Sequence, residues 1–389
     1  MKRLLSIFTI GVIALFSCAK PVVIGFVDNV SGFTGKRGNN FRMAAQIAID
    51  EKNKAGGIKG HKLALKVFDT KGDQKASLEA MDKLIQQKAV AVIGGPELAE
   101  KAQSSKTILM IVNSRYKVEV SPADFIFRNT LSYELEAIVL AKYVYNVIGI
   151  KKIAILVVTN AYGTQVSESF KKTFIEEGGS VVIEKYIHHI EDPYSDDSDF
   201  KDELKEIKGK AEAIFIPNGP VENQRILISA DELGMKVKFI SSSSYHDPDV
   251  FSPEVGELAN GVYFSSIPED LTEIPPARES FEKAFEAKFK LTPTYEAINA
   301  YDATKLIIAA IEKTYDEATS EEKASFKLDP EKIKQNLLGI KDFDGVMSKL
   351  SVLENGEVNR EVGIYKSELM GFVQQGVYLL QDGKIVQVR

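Results

Sequence analysis

The sequence has a single cysteine, Cys18, among its 389 residues. One thiol cannot form an intrachain disulfide, so an exported form of this chain must take its stability from packing alone. The chain has no long low-complexity tract, and its composition of 44% hydrophobic and 27% charged residues is that of an ordinary globular protein. Because the length exceeds that of one ordinary core, two domains are expected.

The motifs of common hydrolases and metalloenzymes are also missing. The sequence contains no G-x-S-x-G elbow, no H-E-x-x-H and no C-x-x-C. His246, in the stretch SSSSYHD, could form part of a Ser/His/Asp arrangement, but a polar loop is the simpler interpretation. The acidic run Asp192–Asp199 lacks the glycine and terminal glutamate of a calcium loop. We therefore expect no enzyme activity, no metal and no cofactor.

An excess of positive charge is absent as well. The chain has 49 basic and 55 acidic residues, and without Lys2 and Arg3 the balance is 47 − 55 = −8. This charge opposes binding to nucleic acid through a broad basic face.

The first seventeen residues are basic at Lys2 and Arg3, then apolar, and end at Ser17. This order is typical of a secretory signal peptide over residues 1–17. The stretch Leu15–Cys18 matches a bacterial lipobox, in which the cysteine becomes an acylated first residue. We expect Cys18 to be a lipid anchor; the alternative is a buried structural cysteine.

Apolar runs of four to six residues alternate with stretches of helical period, which predicts parallel strands joined by helices. The pattern occupies the first hundred residues and restarts near Lys152, so two α/β units are expected. In the first unit, the strand Val22–Val27 leads into a loop with Gly32, Gly35 and Gly38. This G-x-x-G-x-x-G spacing is not that of a phosphate-binding loop. Ligands of open α/β sheets bind beyond the carboxyl ends of the strands.

Five stretches carry a family resemblance: SGFTGKRGNNFRMAAQIAIDEKNKAGGIKGHKLALKVFDTKGD (31–73), AVIGG (91–95), AYGTQ (161–165), DELGMK (231–236) and DFDGV (342–346). Together they resemble the leucine/isoleucine/valine-binding branch of the type I periplasmic binding proteins, the extracytoplasmic receptors of ABC importers. The resemblance covers nearly the whole chain after Cys18, in the family's order.

The resemblance implies an α/β fold of two Rossmann-like lobes joined by a three-segment hinge. The first lobe would comprise residues 21–132 and 268–345, and the second lobe residues 133–267 and 346–389. A small molecule would bind between the lobes and be captured by hinge closure.

Six candidate ligand-binding residues lie on predicted strand-end loops: Arg37, Arg115, Tyr116, Tyr162, Asn218 and Ser243. Tyr162 matches the tyrosine of the family's Tyr-Gly motif. The family's acidic partner for a ligand ammonium is replaced by Ser243 or Ser244, which disfavours a zwitterionic amino acid. An arginine can hold a carboxylate bidentately, so a small anion stacked by Tyr116 and Tyr162 is expected. Alternatively, Arg37 and Arg115 bridge the lobes or face solvent.

Two functions fit this pattern. The first is a lipid-anchored solute receptor of the cell envelope or periplasm, which delivers an amino acid or related small anionic metabolite to an ABC permease in the inner membrane. The alternative is a non-transport envelope lipoprotein that uses the bilobal fold to bind or regulate another protein, as penicillin-binding-protein activators do.

Overall fold

The computed structural model describes residues 20–32, 35–118, 120, 124–191, 198–268 and 275–389. The predicted signal peptide and Cys18 lie outside this part of the chain, as do residues 192–197 of the acidic run. Two sheets dominate the described residues, and each is the centre of one lobe. Within the described ranges, no helix combines the length and hydrophobicity that crossing a bilayer requires.

The sheet of the first lobe has five parallel strands in the order β2-β1-β3-β4-β5. Buried strands such as β4, with the sequence ILMI, are apolar along their whole length because both faces of the sheet are covered by helices. The strands and helices of this lobe are β1 Val22–Asp28, β2 Leu63–Asp69, β3 Ala91–Gly94, β4 Ile108–Ile111, β5 Ile126–Arg128, α1 Lys36–Lys54, α2 Gln74–Gln86, α3 Ala99–Ser105, α8 Pro276–Phe289, α9 Ala297–Glu317, α10 Ser320–Ser325 and α11 Pro330–Leu338.

Helices α1 and α9 cover one face of this sheet. Phe41 and Ile47 of α1 pack with Leu306 and Ile311 of α9 in one apolar cluster. On the opposite face, Leu84 and neighbouring apolar residues of α2 and α3 form a second cluster. The first lobe is therefore a three-layer sandwich, which fixes where the ends of its strands lie.

The sheet of the second lobe has eight strands in the order β16-β15-β14-β10-β9-β8-β6-β7. Strands β6 to β10 are parallel, and β14 to β16 extend the sheet as antiparallel neighbours. The elements of this lobe are α4 Tyr133–Tyr143, β6 Lys152–Val158, α5 Ala161–Glu176, β7 Ser180–Ile187, α6 Lys201–Ile207, β8 Ala213–Phe215, α7 Pro220–Glu232, β9 Lys238–Ser241, β10 Tyr263–Ser266, β14 Val362–Glu368, β15 Gly371–Gln381 and β16 Lys384–Gln387.

The chain passes between the lobes three times: between β5 and α4, between β10 and α8, and before β14. The expected third crossing at residues 345/346 is wrong. Val346, Leu350 and Val358 lie in the apolar core of the first lobe. They belong to a small antiparallel sheet of β11 Phe343–Asp344, β12 Lys349–Val352 and β13 Val358–Asn359. Residues 346–359 therefore pack on the first lobe, and the chain crosses near Arg360.

A buried polar network joins the first and third of these crossings to α9. The guanidinium of Arg360 donates to Asn299 Oδ1 at 2.8 Å and lies 3.6 Å from Asp302 Oδ2. Asn129, which follows β5, donates from Nδ2 to the carbonyl oxygen of Asn299 at 2.7 Å. All four residues are at least 90% buried. Because buried polar groups are costly unless paired, this network favours one specific arrangement of the crossing segments.

A second ion pair lies beside the same crossings. Arg128 Nε at the end of β5 is 3.1 Å from Glu357 Oε1, and only 18% of the Glu357 side chain is exposed. Burial raises the pKa of the Glu357 carboxyl to about 7, although the positive charge of Arg128 opposes the shift. The folded protein therefore favours the protonated form of Glu357 more than the unfolded chain does.

We expect Glu357 to make the protein less stable as the pH rises through about 7. Folding takes up a proton at Glu357 between its ordinary pKa of 4.5 and about 7, so the free energy of unfolding should fall across this window. Urea unfolding at several pH values should show a smaller decrease for Glu357→Gln than for the unmodified protein. Glu354→Gln, at an exposed position of the same turn, is the control. Equal pH profiles for Glu357→Gln and the unmodified protein would contradict this expectation.

Candidate ligand-binding cleft

A cavity of about 350 Å³ lies where the ends of the strands of the two lobes meet. The first lobe contributes residues from the loop after β4, and the second lobe contributes residues that follow β6, β9 and β10 or begin α4. The lining residues are Arg115, Tyr116, Tyr133, Tyr162, Ser243, Ser244, His246, Ser266 and Ile267. This is the crevice beyond the carboxyl ends of the strands in which open α/β sheets bind ligands.

Three tyrosine rings form a row along the cavity. The ring centroids of Tyr116 and Tyr133 are 5.1 Å apart, and those of Tyr133 and Tyr162 are 4.8 Å apart, both with edge-to-face geometry. Burial raises the pKa of Tyr133 to about 12, so its hydroxyl stays protonated at neutral pH. The row gives the cavity an aromatic wall of three mutually tilted rings.

Serine hydroxyls and one histidine form the polar wall of the second lobe. The Tyr162 hydroxyl lies 2.6 Å from Ser242 Oγ and accepts a hydrogen bond from the backbone N–H of Ser244 at 3.2 Å. His246 Nδ1 is 2.9 Å from Ser266 Oγ. Ser243 to Tyr245 form a short 3-10 helix after β9, and Ser243 and Ser244 of this helix line the cavity.

A buried ion pair connects the two lobes at the base of the cavity. Arg115, on the loop of the first lobe, forms an ion pair through Nη2 with Glu136 Oε2 of α4. Its Nε donates to the carbonyl oxygen of Leu131 at 2.8 Å, and its Nη1 donates to Ser243 Oγ at 3.3 Å. The guanidinium also lies 4.4 Å from the Tyr133 ring centroid. Arg115, a residue of the first lobe, is thus held by groups from the second lobe and from a crossing segment.

Glu136 is 98% buried and accepts hydrogen bonds from two further donors. Its Oε1 accepts from the backbone N–H of Ser243 and from Ser265 Oγ, each at 2.8 Å. Sequence reasoning missed Glu136 because it lies on the first turns of a helix and not on a strand-end loop. The available signal was weak: Glu136 stands among the apolar residues of YELEAIVLAKY, but the same helix also has Glu134 and Lys142.

Four of the six predicted site residues line the cavity together: Arg115, Tyr116, Tyr162 and Ser243. The side chains of the other two, Arg37 and Asn218, lie outside this lining. Arg37 is bound to Glu296 through Nε at 2.7 Å and Nη2 at 3.0 Å, and it donates from Nη1 to the Asn113 carbonyl oxygen.

Asn218 braces the ends of two neighbouring strands. Its Oδ1 accepts from the Val158 N–H at 2.7 Å, and its Nδ2 donates to the Leu156 carbonyl oxygen at 2.9 Å. The carbonyl oxygen of Asn218 accepts from Ser244 Oγ at 2.6 Å. Asn218 therefore acts on the cavity through the position of Ser244.

The glycine loop after β1 supports close packing of the backbone. A Cβ atom added at Gly38 would lie 2.1 Å from the carbonyl oxygen of Asn29, so any other residue would push α1 away from the end of β1. Beside this contact, Asp28 accepts a hydrogen bond from Asn113 Nδ2 at 3.0 Å, and burial raises the pKa of the Asp28 carboxyl.

Among the residues described, no three His, Cys, Asp or Glu side chains form a metal-binding group.

Two lobes of parallel α/β architecture with an open cavity between their strand ends define the class of two-lobed ligand-binding proteins. Residues 21–369 match the family described as periplasmic binding protein. The chain belongs to this family, and its resemblance to the leucine/isoleucine/valine-binding branch of the type I proteins is confirmed. The family consists of substrate-binding proteins with a periplasmic or extracytoplasmic location.

Curated relatives and solved structures agree with this assignment. The leucine-, isoleucine-, valine-, threonine- and alanine-binding protein of Pseudomonas aeruginosa is 24% identical, over 94% of this chain and 95% of its own length. A putative branched-chain amino acid ABC transporter structure from Rhodospirillum rubrum has a TM-score of 0.72 at 19% identity and covers 91% of this chain and 100% of its own. The Streptococcus pneumoniae substrate-binding protein LivJ, in complex with isoleucine, has a TM-score of 0.60 at 22% identity, with 95% and 100% coverage. These structural likenesses show the two-lobed fold.

We expect Glu136→Ala to lower the free energy of unfolding by about 3–5 kcal/mol, because it removes the carboxylate partner of the mostly buried Arg115 and the acceptor of the Ser243 N–H and the Ser265 hydroxyl. Glu296→Ala is the matched control, since it removes the partner of the more exposed Arg37 and should cost about 0–1 kcal/mol. Urea denaturation of both variants measures the difference. Equal losses of unfolding free energy in the two variants would contradict this expectation, because the Arg115–Glu136 pair would then contribute no more to stability than the exposed Arg37–Glu296 pair.

Proposed function

We propose that this protein is an extracytoplasmic solute-binding lipoprotein of an ABC importer. It binds an amino acid or related small anionic metabolite in the cleft and delivers it to a permease in the inner membrane. The observation that carries this proposal is the cavity of about 350 Å³ with walls from both lobes. Its size and its mixture of aromatic and polar lining suit a small metabolite.

Arg115 is the basic group that a ligand carboxylate would meet. A guanidinium has five N–H donors, and three of those of Arg115 have acceptors in Leu131, Glu136 and Ser243. The Ser243 contact, at 3.3 Å, is the longest of the three and belongs to a residue of the cavity lining. A carboxylate can therefore bind at this side of the guanidinium, while the tyrosine row covers the apolar part of the molecule.

Hinge closure follows from the placement of these groups. Tyr116 belongs to the first lobe, and Tyr162 and Ser244 belong to the second lobe. A ligand that contacts both walls binds the closed arrangement better than an open one, so it shifts the population toward closure. The non-transport alternative predicts a cleft filled by side chains, and the open cavity favours the receptor.

A thermal-shift screen against amino acids, dicarboxylates and aromatic acids tests ligand binding. A true ligand at a hundredfold excess over its Kd should add about 2.7 kcal/mol of stability. Tyr116→Ala should weaken that ligand by about tenfold, because one aromatic contact of about 1.4 kcal/mol is lost. Tyr186→Ala, an exposed tyrosine on β7 outside the cavity lining, should leave affinity unchanged. A screen without any binder would favour the non-transport function.

Lipid anchoring at Cys18 is tested by Cys18→Ser. The variant should lose incorporation of an alkyne-tagged fatty acid and move from the membrane fraction to the soluble envelope fraction, because acylation requires the thiol. Detergent phase partitioning measures the shift, with the unmodified protein as the control. Continued membrane association with unchanged fatty-acid labelling would rule out Cys18 as the anchor.

A further inference from the structure

The carboxylate of Glu136 has no room for a ligand cation. Its Oε1 accepts two hydrogen bonds, from the Ser243 N–H and from Ser265 Oγ, and its Oε2 is paired with Arg115. The side chain is 2% exposed and is not part of the cavity lining. The negative charge of Glu136 is therefore already neutralised by Arg115, a residue of the cavity lining itself.

No described residue of the cavity lining carries a carboxylate. On the wall of the first lobe, Asp28 is engaged by the Asn29 N–H and by Asn113 Nδ2. Glu97 lines a different depression, together with Pro96 and Lys101. A ligand ammonium in the cavity would meet hydroxyl groups and the positive charge of Arg115, but no anionic partner.

The tyrosine rings do not replace that partner. A ring face can hold a cation within about 6 Å, but the guanidinium of Arg115 already lies 4.4 Å from the Tyr133 centroid. Tyr133 meets both other tyrosines edge to face, so the rings do not form an open aromatic cage. A second cation here would lie next to the neutral Arg115–Glu136 pair and would have no anionic partner of its own.

We infer that the Arg115–Glu136 pair makes the cleft selective for small carboxylic acids that lack an ammonium group, such as hydroxy, oxo or aromatic acids. Arg115 binds the carboxylate, the serine hydroxyls bind a neutral hydroxyl or oxo group, and the tyrosine row covers the apolar part. Glu136 is a positioning residue that fixes the orientation of the guanidinium. This inference rests on the proposed small-molecule receptor function.

Matched pairs of acids that differ in one substituent test the selectivity. Leucine and 2-hydroxy-4-methylpentanoate share a carbon skeleton, as do phenylalanine and 3-phenyllactate, and each pair exchanges an ammonium for a hydroxyl. Titration calorimetry at pH 7.5 should show at least one hydroxy acid binding about 100-fold or more tightly than its amino acid, because an unpaired ammonium is costly to bury.

The variant Arg115→Met adds a gain-of-function readout. It removes the guanidinium and frees Glu136 Oε2, so the hydroxy acids should lose binding and the matched amines, 3-methylbutylamine and phenethylamine, should bind. Arg115→Lys keeps the positive charge, so it should bind the hydroxy acids more weakly and still reject the amines. Thermal unfolding of both variants checks that they fold; if Arg115→Met does not, the unmodified protein and Arg115→Lys still decide the question.

Two failures are distinguishable. The selectivity is overturned if an amino acid binds the unmodified protein as tightly as its matched hydroxy acid. It is also overturned if a ligand found in the wider screen carries an ammonium or lacks a carboxylate. Either result leaves the receptor function intact. The absence of any small-molecule binder in the whole screen overturns the receptor function, and the selectivity with it.

Discussion

The arrangement of the cleft depends on one buried ion pair between the lobes. Arg115 extends from a loop of the first lobe, and Glu136 lies on the first helix of the second lobe after the crossing. Each has further hydrogen bonds: Arg115 to the crossing segment, and Glu136 to the 3-10 helix after β9 and to β10. A buried pair of this kind contributes more to specificity of arrangement than to net stability, because its desolvation is costly. Here the pair turns N–H donors of Arg115 toward the cavity and keeps the Glu136 carboxylate out of the cavity lining.

The hinge uses the same physical principle. Arg360 and Arg128 each lie beside a carboxylate that burial pushes toward its neutral form: the pKa of Asp302 is raised to about 6 and that of Glu357 to about 7. Asn129 and Asn299 share the network around Arg360. Polar groups at a buried crossing are well satisfied in few geometries, so they restrict how the lobes can be arranged. The same restriction sets the width and shape of the cleft between the lobes.

The sequence predicted the layers well because the strands are buried on both faces and read as apolar runs between amphipathic helices. It placed the third crossing wrongly, since the short strands of residues 346–359 alternate in the same way as those of the last sheet, and only tertiary packing shows which core they join. Four of the six residues predicted on strand-end loops line one cavity. The direction of a side chain is set by its partners: Arg37 turns to Glu296, and Asn218 turns to the backbone of β6. Glu136 was missed because it lies in the first turn of a helix and not on a strand-end loop.

The most direct test of the central claim is a double-mutant cycle between Arg115 and Glu136. Urea unfolding of Arg115→Met, Glu136→Met and the double variant measures their coupling free energy. We expect a coupling free energy of at least about 2 kcal/mol, because the pair is shielded from water and each single change leaves one charge without its partner. The double variant should therefore be more stable than the less stable single variant. Free energies that add to within about 0.5 kcal/mol would contradict the account.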